Sequence, residues 1–170
     1  MNNLDYGVIG NCRTAALISK TGNIEWLCFP DFDSPSVFAA LLDRKKGGCF
    51  GFEVSDKYHI TQSYVPHTNI LSTLFKSEEG EFEILDFMPC YHSRDNGYYL
   101  PAELYRYVHW IKGKPHFRVN YSPAPNYAQG KAIYNTTTEF IESYSSSCSK
   151  DRQYLYSSLP LQDIGQKKEI

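Results

Sequence analysis

The sequence predicts an all-β chain, a large antiparallel β-sandwich formed as one domain over residues 1–170, with one short helix near residues 35–43. Three observations point there. Aromatic residues that suit half-buried sheet surface are abundant, with 14 Tyr and 10 Phe. Short apolar-rich runs recur from Tyr6 onward with turn signals between them. Hydrophobic residues make up 42% and charged residues 21% of the 170 residues, enough apolar material for one packed core.

Each element has its own signal. Thr14–Ser19 and Ile24–Cys28 flank Lys20-Thr21-Gly22-Asn23, and a Gly-Asn turn between apolar runs predicts a hairpin. Gly48–Val54 and Tyr58–Val65 follow as strands. Asn69–Lys76 and Glu81–Met88 face each other across Glu78-Glu79-Gly80 as a second hairpin. In Glu81-Phe82-Glu83-Ile84 the carboxylates alternate with apolar groups, which places Phe82 and Ile84 inward. Cys90–Pro101 reads as a loop, with Tyr98 and Tyr99 at its far side. Glu103–Ile111 and His116–Tyr121 are two further strands, ended by Pro123 and Pro125, which cannot donate to a ladder. The Thr/Ser-rich runs 133–148 and 153–159 are weaker strand candidates.

The segment WLCFPDFDSPSVFAALLD, residues 26–43, starts like a strand and ends like a helix. Ser34 is a candidate N-cap, Pro35 suits the first helical position, and Val37, Phe38, Leu41 and Leu42 share one helical face. Gly47-Gly48 would end the helix. Asp31 and Asp33, two residues apart on extended chain, would stand about 6.6 Å apart, near the roughly 6.5–9.5 Å used by inverting glycosidases. A carboxylate beside a helix N-terminus is also stabilised there without any catalytic role, and this structural reading is preferred for both.

Other chemistry is sparse. No nucleophile elbow, phosphate loop, dinucleotide fingerprint or zinc-protease motif occurs. His59, His67, His92, His109 and His116 lack metal-ligand spacing, so neither metal nor cofactor is expected. Asp86 lies in an apolar strand and needs a partner if buried; Arg13 and Arg106 are the candidates. Trp26, Phe29, Tyr98, Tyr99 and Trp110 are aromatic groups able to stack on sugar rings, though a Trp on a strand more commonly belongs to the core.

The formal charge is −2, with no basic cluster beyond Arg44-Lys45-Lys46, which argues against a nucleic-acid partner. No apolar run reaches a membrane span, and the N-terminus lacks the positive region of an export signal. Five widely spaced cysteines without a C-x-x-C predict reduced thiols in a cytoplasmic protein.

Three stretches together carry a resemblance: YGVIGNCRTAALISKTGNIEWLCFPDFDSPSVFAALLD (6–43), TNILSTLF with ILDFMP (68–75 and 84–89), and RYVHWIKGKPHFRVNYSPAPNYA (106–128). In order and spacing the chain resembles the N-terminal, trehalase-like domain of glycoside hydrolase family 15, the glucoamylase and trehalase family, with Ala124 where that pattern has Arg. The resemblance implies a supersandwich-like fold, followed in full-length members by an (α/α)6 barrel. It implies inverting hydrolysis of α-glucosidic bonds by two glutamates of that barrel, so no residue of this chain inherits a catalytic role. The expected partner is a downstream helical catalytic domain of the same polypeptide, with trehalose or an α-glucoside reaching this chain through it. Trp26, Asp31, Asp33, Tyr98 and Tyr99 are the candidate substrate contacts. A free-standing carbohydrate-binding module is the alternative.

Overall fold

The computed structural model describes residues 5–94 and 97–166. In chain order the strands are β1 (Tyr6–Gly10), β2 (Ala15–Ser19), β3 (Ile24–Cys28), β4 (Ser36–Phe38), β5 (Cys49–Glu53), β6 (His59–Tyr64), β7 (Leu71–Lys76) and β8 (Gly80–Phe87). After them come β9 (Tyr91–His92), β10 (Tyr98–Tyr99), β11 (Tyr105–Gly113), β12 (Arg118–Ser122), β13 (Ala132–Thr136), β14 (Ile141–Ser145) and β15 (Cys148–Leu155). A short helix, α1 (Leu161–Gln166), closes the described chain.

The first sheet runs β1-β2-β3-β5-β12, with β4 also on β3; the second runs β11-β8-β7-β6. A third, β13-β14-β15, and the two-residue ribbon β9-β10 complete the fold, and pairings throughout are antiparallel. Both expected hairpins form, and residues 133–148 and 153–159 do contribute strands.

Two apolar clusters pack between the first two sheets. Period-two alternation sends Ile9, Ala16 and Ile18 inward from β1 and β2, and Ile24 and Leu27 of the irregular β3 join them against Leu71 of the second sheet. Farther along, Phe52, Phe75, Phe82, Ile84, Phe117 and Val119 pack together, and Ile141, Leu161 and Ile164 bring the third sheet and α1 onto the same cluster. Phe75 and Phe82 are cross-strand partners whose rings stack at 4.6 Å. The phenol of Tyr121 meets Ser143 Oγ at 3.0 Å, tying β12 to β14, and burial pushes it up to about 12.

The helix expected at residues 35–43 does not form. Ser36–Phe38 is strand β4, registered with Leu27↔Phe38 and Cys28↔Ser36, and residues 40–42 and 44–46 are turns. Residues 36–40 are buried one after another, whereas a helix would bury one stripe, and Leu42, assigned to that stripe, is 68% exposed. Lateral bonds also capture the carbonyls a helix would need: Asn126 N donates to Ser36 O and Ala124 N to Val37 O. Val37 and Phe38 favour the pleated surface. Tertiary pairing therefore overrides the local capping signal.

Gly47 shows how tightly this turn is folded back. Ala39 N donates to Gly47 O at 2.7 Å, and a Cβ on Gly47 would fall 2.2 Å from the carbonyl carbon and oxygen of Ala39. Gly47→Ala is expected to destabilise by about 1–3 kcal/mol, the cost of forced overpacking. An unchanged urea midpoint would show that the turn opens freely.

Candidate functional site

The functional candidates divide between two places. The first is one end of the sandwich, where three loops meet. In the turn after β1, Asn11 is buried and its amide is fully used. Its Nδ2 donates to Pro89 O at 3.1 Å and Pro101 O at 2.9 Å, while its Oδ1 accepts from the N–H groups of Arg13 and Thr14. One side chain thereby fastens both ends of the 89–101 segment to the β1–β2 turn, as burial of an amide demands.

Arg13 extends the same junction. Its Nε donates to Asp31 Oδ1 at 2.6 Å, its Nη2 to Asp31 Oδ2 at 3.5 Å, and its Nη1 to Leu100 O at 3.4 Å. Phe32 N donates to Arg13 O, and a turn closes from Ser34 N to Asp31 O, with Ser34 Oγ accepting from Asp31 N. Asp31 is thus a turn residue held by arginine. The Arg13 guanidinium keeps its carboxyl below the ordinary carboxylate range, the wrong direction for a general acid. Asp33 is exposed within the same turn. The two carboxylates share one bend and do not face each other across a cleft, so the inverting-pair geometry is missing. No helix N-terminus adjoins them either; Asp31 is held by a turn and an ion pair.

Tyr98 and Tyr99 form β10 and pair with β9, so part of the expected loop is a small ribbon. Asp95 and Asn96 lie outside the described residues. Tyr91 and Tyr99 rings lie 5.1 Å apart and His92 and Tyr98 4.3 Å apart. Tyr98, Tyr99 and Tyr91 are half or more exposed, as is Phe32. Arg13 touches both Asp31 and the residue after Tyr99, so the structure joins Asp31, Asp33, Tyr98 and Tyr99 into one aromatic, arginine-braced end.

Trp26 belongs elsewhere. It is half-buried on β3 and packs on Tyr127, with ring centroids 6.3 Å apart. Tyr127 sits in a left-handed turn of three successive non-glycine residues, Asn126, Tyr127 and Ala128, with φ of 55°, 54° and 59°. Such backbone is costly. It is held because Ser36 O accepts from Asn126 N, Ser36 Oγ from Tyr127 N and Ala124 O from Ala128 N. Sequence reasoning missed this turn; only Asn126, a residue tolerant of positive φ, hinted at it. Trp110, on β11, is 62% exposed and donates Nε1–H to Gly113 O.

Among the described residues no group of three or more His, Cys, Asp or Glu can hold a metal ion. What this end offers chemically is stacking surface and hydrogen-bonding capacity.

The ion pairs predict the acid behaviour. Arg13, Lys57, Lys112 and Arg152, respectively, lower Asp31, Glu79, Glu81 and Glu142. A carboxyl whose folded value lies below its unfolded one stabilises the fold above the unfolded value and loses that contribution as pH falls through the folded one. The thermal midpoint should therefore be flat from pH 7 to about 5 and fall below roughly pH 4.3, where unfolded carboxylates protonate. High salt should shrink the part of the drop due to Asp31 and Glu79, whose pairs are solvent-exposed. A midpoint that rises on acidification would contradict it.

Comparison with known proteins gives a consistent picture. A family model described as "Trehalase-like, N-terminal" matches residues 5–147. The chain is 36% identical over 131 residues to a trehalase of Thermoplasma volcanium, covering 75% of this chain and 20% of that protein. It is 54% identical over 84 residues to trehalase 1 of Sulfolobus acidocaldarius, covering 49% and 14%. Trehalase 2 of the same organism is 36% identical over 136 residues, covering 80% and 20%. The chain thus spans only about a fifth or less of these relatives. No solved structure matches it.

Proposed function

Because the chain belongs to the trehalase-like N-terminal domain family, we propose that it is the non-catalytic N-terminal domain of an α-glucoside hydrolase of the glucoamylase and trehalase type. One observation carries this reading: a family model of an N-terminal domain matches residues 5–147, and the alignments to relatives named as trehalases cover only 14–20% of those proteins. Chemistry in such a protein falls to the much larger remainder, for which the resemblance implies a helical barrel with two catalytic glutamates. The arginine-braced end fits the complementary task. Asn11 and Arg13 lock three loops, and Phe32, Tyr91, Tyr98 and Tyr99 stand out from them as a rigid aromatic rim. Exposed rings on braced loops suit docking against a helical domain and forming one wall of its cleft. Five widely spaced cysteines without a C-x-x-C support a cytoplasmic setting, and no described helix is long and apolar enough to cross a membrane.

The same exposed rings favour one second reading, a carbohydrate-binding module. Two measurements separate them. The 170-residue chain should release no glucose from trehalose, maltose or maltooligosaccharides, because Asp31 is held charged by Arg13 and Asp33 lies on the same bend. Titration with the same sugars should leave Trp and Tyr emission unchanged below millimolar ligand. A micromolar isotherm abolished by Tyr99→Ala would establish the module, and turnover abolished by Asp31→Asn at an unchanged thermal midpoint would make the pair catalytic.

A further inference from the structure

The two long sides of the sandwich are finished differently. On one side β6 and β1, the edge strands of their sheets, are laced together. Tyr64 Oη accepts from Val8 N at 2.8 Å and donates to Val8 O at 2.9 Å, and Gln62 Nε2 donates to Ser19 O at 3.1 Å. Leu71 packs directly on Gly7. That side is closed.

The other side is open. There β11 is the edge of the second sheet, a nine-residue strand with one strand neighbour among the described residues. A bulge between Trp110 and Lys112 and the lysine itself guard its far end. The stretch Tyr105–His109 has no such guard. Behind it lies a cavity of about 890 Å³ between the sheets, walled by Phe38 and Phe52 from the first sheet, Phe82 and Val108 from the second, and Leu159 and Ile164. A close-packed interior leaves few voids larger than a water molecule. On the same wall Gln153 Oε1 is a buried acceptor with no hydrogen-bond donor, an arrangement that costs stability until a donor arrives.

We infer that β11 is a docking edge for an extended segment of the same polypeptide, encoded beyond Ile170, which adds a strand beside Tyr105–His109 and fills this cavity with apolar side chains. The inference rests on the reading of the chain as the N-terminal part of a longer hydrolase. Two observations select this occupant. The matched relatives continue for at least four times the aligned length. The last described element also lies at this opening: α1 buries Leu161 and Ile164 in the core, and Ile164 is itself a cavity wall. A segment tethered there acts at millimolar effective concentration, whereas a free peptide would have to bind unaided. The added strand would alternate, with apolar residues toward Phe52 and Phe82 and polar ones outward.

Hydrogen exchange followed by mass spectrometry tests this on two proteins: the 170-residue chain, and the chain extended by the codons that follow Ile170 in its gene, in full and in progressively shorter versions. The expected result is exchange of the Tyr105–His109 amides slowed at least tenfold by the extension, with β7 amides unchanged. A soluble extended protein without that slowing would overturn the inference, as would a stop codon directly after Ile170. Slow exchange of β11 in the short chain, appearing with a concentration-dependent dimer by sedimentation, would assign the edge to a second copy instead. An apolar molecule retained by the extended protein in native mass spectrometry would assign the cavity to a ligand. Trehalose hydrolysis by the extended protein tests the functional reading separately, so either conclusion can fail alone.

Discussion

Arg106→Met is expected to destabilise the chain by about 3–5 kcal/mol, the cost of leaving one member of a buried ion pair without its partner. Arg106 and Asp86 face each other across β11 and β8, with side chains 3% and 0% exposed. The guanidinium spends every nitrogen. Nε and Nη2 donate to the two Asp86 oxygens at 2.7 and 3.1 Å, Nη1 donates to Phe50 O, and Nη2 also to Gly22 O. Its carbon lies 4.8 Å from the Phe50 ring centroid and 5.0 Å from that of Phe52, so the charge also rests on two aromatic faces. The group therefore ties the second sheet to a strand and a turn of the first. Methionine fills much of the volume but leaves a bare carboxylate and removes a donor from each of two carbonyls. Arg106→Lys should fail almost as badly, since an ammonium cannot fork to Asp86 while reaching both carbonyls. The pair Asp86→Leu with Arg106→Met should recover a large part of the loss, because it removes the stranded charge. For a chain of this size the single change amounts to a thermal shift of roughly 6–20 °C. A loss below about 1 kcal/mol would show that water reaches Asp86.

This tie was half legible in the sequence. Asp86 in an apolar strand demanded a cation, and Arg13 and Arg106 were the candidates; the cross-strand register decides for Arg106, and Arg13 goes to Asp31. The hairpins, the inward Phe82 and Ile84 and the predominance of strand were legible because alternation and turn chemistry are local. Residues 35–43 were not, because their capping signal is local while their bonding partners Ala124 and Asn126 are some ninety residues away. For the same reason the left-handed turn at residues 126–128 was invisible: Ser36 holds it from across the sheet. Helix α1 follows Pro160, whose carbonyl accepts from Asp163 and Ile164. Its sequence is too short for periodicity to show. At the candidate site, residue types could nominate Asp31, Asp33, Tyr98 and Tyr99, but only the fold could show that Arg13 pairs with Asp31 and reaches the carbonyl of Leu100 beside Tyr99.

Phe82→Ala is the second large effect, expected at about 3–5 kcal/mol. Phe82 is fully buried on β8 and contacts rings on three sides. It stacks on Phe75 at 4.6 Å with 5° between planes, lies 4.9 Å from Phe117 and meets Tyr58 edge-on at 5.9 Å. Those contacts join β7, β8 and the approach to β12, so one truncation loosens both sheets at once. Phe75 sits on a ladder-bonded strand, and Tyr58 and Phe117 each directly precede one, so these walls cannot easily move together to close the space left behind. The site also borders the open cavity, so the deleted ring enlarges an existing void. Poor collapse places the loss in the upper half of the range. Phe32→Ala is the matched control. That ring is 62% exposed at the loop end, and its loss should move the urea midpoint by less than about 0.5 kcal/mol. Urea denaturation of both variants at equal concentration decides the matter. If Phe82→Ala and Phe32→Ala shifted the midpoint equally, the ring cluster could not be the centre of the core. Extended protein carrying Phe82→Ala should also lose part of the added protection at Tyr105–His109, because the strand docking there would face a widened, poorly packed wall.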